Sequence, residues 1–331
     1  MSKVEELLEQ QFNKIAINPK DQNRNLAHLH ADFAEIIALL RNEDFFSAAE
    51  LINRYKACNI RAKDLDVDCD EDDTEAEKED AYDRWAQQVF MILLDRQNLY
   101  KDDYPFQVDS TSIKLTDSSS IKGKKRVYLI LLLCANLNYF SKLQSILTSE
   151  FEMLSFLVLK QFMSPNAQVK QFGKNSDYKG SAQEKISALA DDMMGVEINR
   201  REFRKILGNQ ERGLDVVGWH PFSDRYSNFL AILGQCACGK EWYKKLSETK
   251  RFHNYFRFEK LKPVHALFVP GALFSKAVEA GGDFFQSDEF DDVLCFERFR
   301  ILEFIEDTKF LAGLDSNKAV EFAVNYQEDL V

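Results

Sequence analysis

Residues 211–242 read ERGLDVVGWHPFSDRYSNFLAILGQCACGKEW. Two apolar runs, Leu214–Trp219 and Phe229–Leu233, flank a polar turn at 223–228. That pattern predicts a β-hairpin. Asp215 stands near the start of the first run and Gln235 just past the end of the second. A buried sheet favours apolar residues there, and polar groups are costly to bury without partners. Their placement therefore points to chemistry, and metal-dependent phosphodiester hydrolysis is one chemistry that uses such groups.

The 331-residue chain has room for one large or two ordinary domains. With 45% hydrophobic residues it can build a real core, and with only 13 Gly and 6 Pro it favours helices over a turn-rich β-sandwich. The net charge of −11 argues against a general binder of nucleic acid or acidic membrane. The charge is uneven, however. Residues 64–80 hold eleven acidic residues and one Lys, whereas residues 171–262 hold 17 basic against 12 acidic. The segment around the hairpin is thus locally positive. Six scattered cysteines are no disulfide framework. No secretory h-region opens the sequence, and the run Val127–Ala135 is too short to span a bilayer. A soluble protein of the reducing cytoplasm is the expectation.

The first half reads as helices. Apolar spacing predicts them over 2–18, 25–59 (a pair broken at 42–44), 81–100 and 126–163. Ser149 and Glu152, three apart, suggest a capping box that opens the last of these. His28 and His30 are two apart, on different helix faces, which is poor spacing for a shared metal. The acidic loop 63–80 reads as a solvated segment or a docking site for a basic partner. A calcium loop would use Asp66, Asp68, Asp70 and Glu77, but Glu71 occupies the position that needs Gly. Residues 101–124 and 164–180 read as polar connections. A boundary near residue 170 gives a helical domain over 1–170 and a second domain over 171–331.

In the second half an amphipathic helix is expected at 181–194, with Glu184 in its first turn, where the macrodipole favours a carboxylate. The hairpin follows, then a helix over 243–256, a strand at 264–269, and a segment 293–305 that begins as a strand and ends as a helix. The fold class is therefore α+β: a helical domain, then a mixed sheet flanked by helices.

This order, with Asp215 on the first hairpin strand and Gln235 at the end of the next, resembles the PD-(D/E)XK nuclease superfamily, the restriction-endonuclease-like fold, over about residues 180–305. The resemblance implies that Asp215 and Gln235 bind Mg²⁺ or Mn²⁺, Gln235 standing where most members carry an acid. It also implies that a Glu on the preceding helix, for which Glu184 is the candidate, completes the site. The lysine usual two residues after the second acid is Ala237 here, and Lys240 is the nearest replacement. Arg200, Arg201, Arg204, Lys205, Arg212, Lys244, Lys245 and Lys250 are then candidates for tracking a nucleic-acid backbone, against the plainer reading of solvated helix faces. The implied activity is phosphodiester hydrolysis of DNA by the effector of a restriction or phage-defence system. An ATPase or sensor subunit is the implied partner, and a homo-oligomer is compatible.

Two other readings stay open. Ala237 also fits a degenerate nuclease fold that binds nucleic acid or a partner protein without cleaving. Cys236 and Cys238, paired with His220 or His265, would suit a cysteine hydrolase, although burial as small hydrophobes is the plainer account of both thiols.

Overall fold

The computed structural model describes residues 3–12, 14–17, 26–41, 44–65, 67–70, 73–194, 196–206, 213–224, 226, 228–258, 260–274 and 290–326. The chain is mixed α and β and divides into two compact units. One comprises Met1–Gln144, Ala272–Ser287 and Thr308–Val331; the other comprises Ser145–Gly271 and Asp288–Asp307. The boundary thus falls some 25 residues before the one expected near 170, and the C-terminal helix returns to the first unit. Among the described residues, no helix is long and apolar enough to cross a membrane.

The first unit contains α1 (Lys3–Phe12), α2 (Leu26–Leu40), β1 (Phe46–Ser47), α3 (Ala48–Ala57), α4 (Glu75–Tyr100), β2 (Phe106–Val108), β3 (Ser112–Leu115) and α5 (Lys124–Ala135). Helix α5 is buried from Val127 to Ala135, which explains its unbroken apolar run: a helix apolar on every side belongs inside a core. Helix α2 is buried almost throughout, polar residues included. The 101–124 connection holds more order than its sequence suggests, because β2 and β3 pair antiparallel and β1 joins them. Helix α4 begins at a Thr74–Glu77 capping box, so the end of the acidic segment is a helix start. Glu77 there accepts from Thr74 N and Oγ1 at 2.7 Å each, a use of its carboxylate that the calcium-loop reading did not foresee. Asp66 and Glu71 of that reading lie outside the described residues.

The two histidines of α2 are both buried. On His30, Nδ1 receives the Trp85 indole N–H at 2.9 Å and lies 3.1 Å from the Tyr55 hydroxyl. Burial holds its pKa down at about 3. The folded value lies below the unfolded one. The associated stability is therefore complete above pH 6.5 and is lost as pH falls from 6.5 towards 3. Between pH 7 and pH 4.5 the loss should be about 2–3 kcal/mol. Urea denaturation of wild type and His30→Gln at both pH values checks this: the variant should lack that part of the pH dependence.

The second unit begins with α6 (Gln144–Phe162) and β4 (Gln168–Gln171). Next come α7 (Ala182–Asp192), β5 (Glu197–Ile198), α8 (Arg200–Phe203), β6 (Val216–Trp219), β7 (Ala231–Cys236), α9 (Phe252–Tyr255), β8 (Phe256–Arg257), β9 (Val264–Phe268), β10 (Val293–Phe296) and α10 (Arg298–Glu303). Helix α11 (Asp315–Val324) closes the chain and belongs to the first unit. The main sheet runs in the order β10-β9-β7-β6-β4. Strands β4, β6 and β7 are antiparallel neighbours, whereas β7, β9 and β10 run parallel. The expected hairpin is β6–β7. The helix expected over 243–256 is instead two 3₁₀ turns, Trp242–Lys245 and Glu248–Arg251, followed by the short α9.

One face of the sheet packs Val217, Trp219, Ala231 and Leu233 against Ile186 and Leu189 of α7 and Phe252 and Phe256 beyond. On the other face, a Cβ at Gly218 would run into Leu159 of α6 and Met163 just past its end. The bare backbone at Gly218 lets α6 lie close against the sheet, which carries the N-terminal half of α6 to the sheet end where β6 starts and β7 stops.

Candidate active site

Helix α6 has two stripes. Leu147, Phe151, Leu154, Val158 and Leu159 are buried. Ser145, Ser149 and Glu152, spaced four and three apart, share another side. That polar side holds the loop after β4. Lys174 Nζ donates to the Ser145 carbonyl at 3.1 Å and to its hydroxyl at 2.6 Å, and Asn175 Nδ2 donates to the Ser149 carbonyl at 2.9 Å. Glu152 Oε2 accepts the backbone N–H of Lys174 at 2.9 Å. Ser149 and Glu152 thus lie within a helix that begins at Gln144, and they do not open one.

The loop brings Gly173 between two carboxylates. A Cβ there would sit 2.8 Å from Asp215 Oδ1 and 2.8 Å from Glu152 Oε2. The two acids are therefore neighbours, at most twice that distance apart. Asp215 is fixed from three sides. Its carbonyl accepts from Phe172 N at 2.7 Å and Gly173 N at 3.0 Å, and its own N–H donates to Gly234 O at 2.9 Å. Its Oδ2 accepts the Cys236 N–H at 2.7 Å. The side chain thus lies at the end of the sheet and takes a ladder donor of β7.

Gln235 stands beside Asp215 in the strand register, because Val216 pairs with Gly234. Its pleat sends the side chain to the Leu233 face, towards the turn Glu248–Arg251. There Gln235 Nε2 donates to Glu248 Oε2 at 2.5 Å. Gln235 Oε1 is buried and has no hydrogen-bond partner among the described residues. Glu248 also approaches Gly213, whose φ is +81° and where a Cβ would meet Glu248 Oε2 at 2.7 Å. The end of the sheet therefore carries an acid pair, Asp215–Glu152, and an amide–acid pair, Gln235–Glu248.

The other expected residues fall elsewhere. Glu184 is the N3 partner of a capping box on α7: its carboxylate accepts from Ser181 N at 2.7 Å and Ser181 Oγ at 2.9 Å. Those bonds hold its pKa below the usual carboxylate value and direct it to its own helix, with no contact to Asp215 or Gln235. Glu152 is the helix carboxylate that meets Asp215. Lys240 lies half-buried in the turn after β7. The charge of Lys245, in the turn Trp242–Lys245, lowers the Cys238 thiol against burial and the charges of Glu152 and Asp215. Ala237 is fully buried. Arg212, of the basic set, lies outside the described residues.

The thiols are poor nucleophiles. Burial first, then the Asp215 charge, pushes Cys236 well above the ordinary thiol value, and burial raises Cys238. A cysteine hydrolase needs a thiolate and a histidine partner. His265 instead faces Thr249 Oγ1 at 3.0 Å and His253 Nε2 at 2.8 Å.

Among the described residues, no three His, Cys, Asp or Glu side chains form a complete metal cage. Mg²⁺ does not require one, since it keeps most of its waters and takes one or two protein carboxylates. Two adjacent carboxylates, Asp215 and Glu152, are hard-oxygen donors of that kind. No family model matches the chain, nor does any curated protein or solved structure.

Proposed function

We propose that the second unit is a metal-dependent nuclease acting on DNA, with Asp215, Glu152 and Gln235 as the metal-binding residues. The observation that carries this reading is the pair of carboxylates meeting over Gly173, at the end of the sheet where β7 stops. The strand arrangement lends it support: antiparallel β4, β6 and β7 continue through a helical connection into a parallel β9, and α6 would be the helix that supplies the Glu. Bound Mg²⁺ or Mn²⁺ would lower the pKa of a coordinated water and offset charge on the phosphate. The protein's own part is to fix the carboxylates: Cys236 N–H holds Asp215, Lys174 N–H holds Glu152, and Gly173 leaves room for both. Lys240, or Lys245, whose charge acts on the Cys238 thiol, would stabilise phosphate oxygens or orient water. The local positive charge of 171–262 would face the nucleic-acid backbone. Service as a restriction or phage-defence effector, beside an ATPase or sensor subunit, is the setting that this reading implies.

The test is cleavage of plasmid and linear DNA with Mg²⁺ or Mn²⁺ by wild type and Asp215→Ala. Equal cleavage by both would remove the assignment. Metal-independent DNA binding without cleavage would favour the degenerate, binding-only reading, to which the apolar Ala237 lends its weight. Gly173→Ala sharpens the test, because its methyl would occupy the space between the carboxylates. Mn²⁺ affinity should fall about tenfold to a hundredfold in a calorimetric titration, with the far-UV circular dichroism of wild type retained.

A further inference from the structure

We propose that His253 and His265 form a binding site for a nitrogen-preferring divalent metal ion such as Zn²⁺, separate from the carboxylate pair. His265 is buried near the start of β9, in register with Leu233 of β7 and Val293 of β10. A polar ring in that sheet is costly unless its nitrogens find partners. Both do. Nδ1 lies 3.0 Å from Thr249 Oγ1, and Nε2 lies 2.8 Å from Nε2 of His253 on α9. His253 is exposed, so the pair is reached from solvent on that side. Two neutral imidazoles meet through their Nε2 atoms only when one donates and the other presents a lone pair. A single hydrogen thus stands between two nitrogens of the kind that ligate metals.

Thr249 prepares the inner ligand. When its Oγ1 accepts the Nδ1–H of His265, the lone pair of that ring is on Nε2, and this is how metal-bound histidines are commonly oriented. Thr249 is buried in the turn Glu248–Arg251, so the ring is set before an ion arrives. Both rings are held neutral, the form that binds metal. Desolvation, then the charges of His253 and Lys250, brings His265 down to about 4, and desolvation with Lys262 and Lys250 lowers His253. To accept an ion, His253 moves its hydrogen to Nδ1, with no net loss of a proton. An ion about 2.0–2.1 Å from each nitrogen at a tetrahedral angle sets them roughly 3.4 Å apart, a movement of about half an ångström for the exposed His253. Lys250 and Lys262 bear on the pair, and Asp292 opposes them at His265. Net charge therefore gives little attraction, and affinity must come from bonding to nitrogen, which favours Zn²⁺, Ni²⁺ or Cu²⁺ over Mg²⁺ or Ca²⁺. Among the described residues no third His, Cys, Asp or Glu completes a group with these two. Water fills the other positions, and the ion stays exchangeable, a reversible clasp of α9 on β9.

The experiment is calorimetric titration of the full chain with Zn²⁺ at pH 7, in an Asp215→Ala background that removes the carboxylate pair as a rival site. Circular dichroism confirms that each variant folds. Zn²⁺ should bind in this background, excess Mg²⁺ should not displace it, and His253→Gln should abolish the binding. Because His253 is exposed, that variant keeps the test decisive even if His265→Ala fails to fold. Thr249→Val should weaken Zn²⁺ about tenfold, as loss of a second-sphere partner does. His220→Gln, which changes another partly exposed histidine, should leave the affinity as it was. Co²⁺ in place of Zn²⁺ should give visible d–d absorption that His253→Gln removes. Zn²⁺ affinity unchanged by His253→Gln overturns the inference and leaves the pair a structural hydrogen bond. So does an equal loss in His220→Gln, which would make the binding a general property of surface histidines. Neither result bears on the carboxylate site, whose own test is Asp215-dependent cleavage.

Discussion

Asp215→Ala and Glu152→Ala should each lower metal-dependent DNA cleavage by at least about a hundredfold, whereas Glu184→Ala should leave it within about twofold. The contrast follows from what each carboxylate touches. Asp215 and Glu152 both point at the space over Gly173 and are held there by backbone N–H groups of Cys236 and Lys174. On the proposed reading each is a charged oxygen donor in a preorganised place, and removing one would take away both ligand and charge. Glu184 is fully committed to Ser181, so its loss is a lost helix cap, costing about 1 kcal/mol of stability and no catalysis. Asn at 215 and Gln at 152 are the stricter variants, because they keep shape and hydrogen bonding and remove only the charge. Single-turnover cleavage in Mn²⁺ is the measurement. Loss of cleavage in Glu184→Ala with full activity in Glu152→Ala would reverse the assignment.

The confusion of Glu184 with Glu152 shows what the sequence could and could not reveal. Ser181–Glu184 and Ser149–Glu152 have the same three-residue spacing, and only the first is a capping box. Spacing alone cannot separate them, because the difference lies in where the helix begins. The distinguishing signal was the polar stripe Ser145, Ser149, Glu152 beside the apolar one, which marks a continuous helix with a second, polar side. Strand β4 was hidden for a related reason. It is an edge strand of four residues, QVKQ, with a single apolar side chain, so no alternation rises above its polar surroundings. Missing β4 placed the unit boundary after it, when α6 and β4 both belong with the sheet.

The hairpin was legible because β6 and β7 are central strands, buried at every position, and their apolar runs are correspondingly continuous. Asp215 and Gln235 stood out against those runs for the same reason. Glu248 did not, since an exposed-looking acid in SETKR resembles any solvated turn until the 3₁₀ geometry brings it to Gln235. Likewise, the 3₁₀ turns from Trp242 to Arg251 bury Trp242, Thr249 and then Phe252 one at a time, a spacing that also satisfies a helix.

The largest effect on stability should come from Arg96→Met in the first unit, with a loss of about 3–5 kcal/mol. Arg96 is almost wholly buried on α4 and grips two acids of α2 through Nη1, Asp32 at 2.8 Å and Glu35 at 2.9 Å. Its Nη2 donates to the His28 carbonyl at 3.3 Å. Burial alone would lower the guanidinium pKa, but Glu35 and Asp32 hold it well above the ordinary value, so the cation persists. The acids are further fixed by the Tyr104 and Tyr128 hydroxyls, each donating to Glu35 at 2.8 Å, and by Asn136 donating to Asp32 at 2.9 Å. Methionine fills much of the volume but removes the charge that both carboxylates face in a low-dielectric interior. The cost therefore comes from the acids left behind, which makes it reversible by design. Adding Asp32→Asn and Glu35→Gln to Arg96→Met should recover most of the loss, because a neutral network carries no buried charge to compensate. Arg96→Lys should fall between wild type and Arg96→Met, since an ammonium keeps the charge but loses the Nη2 bond to the His28 carbonyl. Urea unfolding followed by tryptophan fluorescence reports on this unit through Trp85 of α4. Arg96→Met within about 1 kcal/mol of wild type would mean that the acids rearrange to reach water, and that the network does not hold α2 against α4.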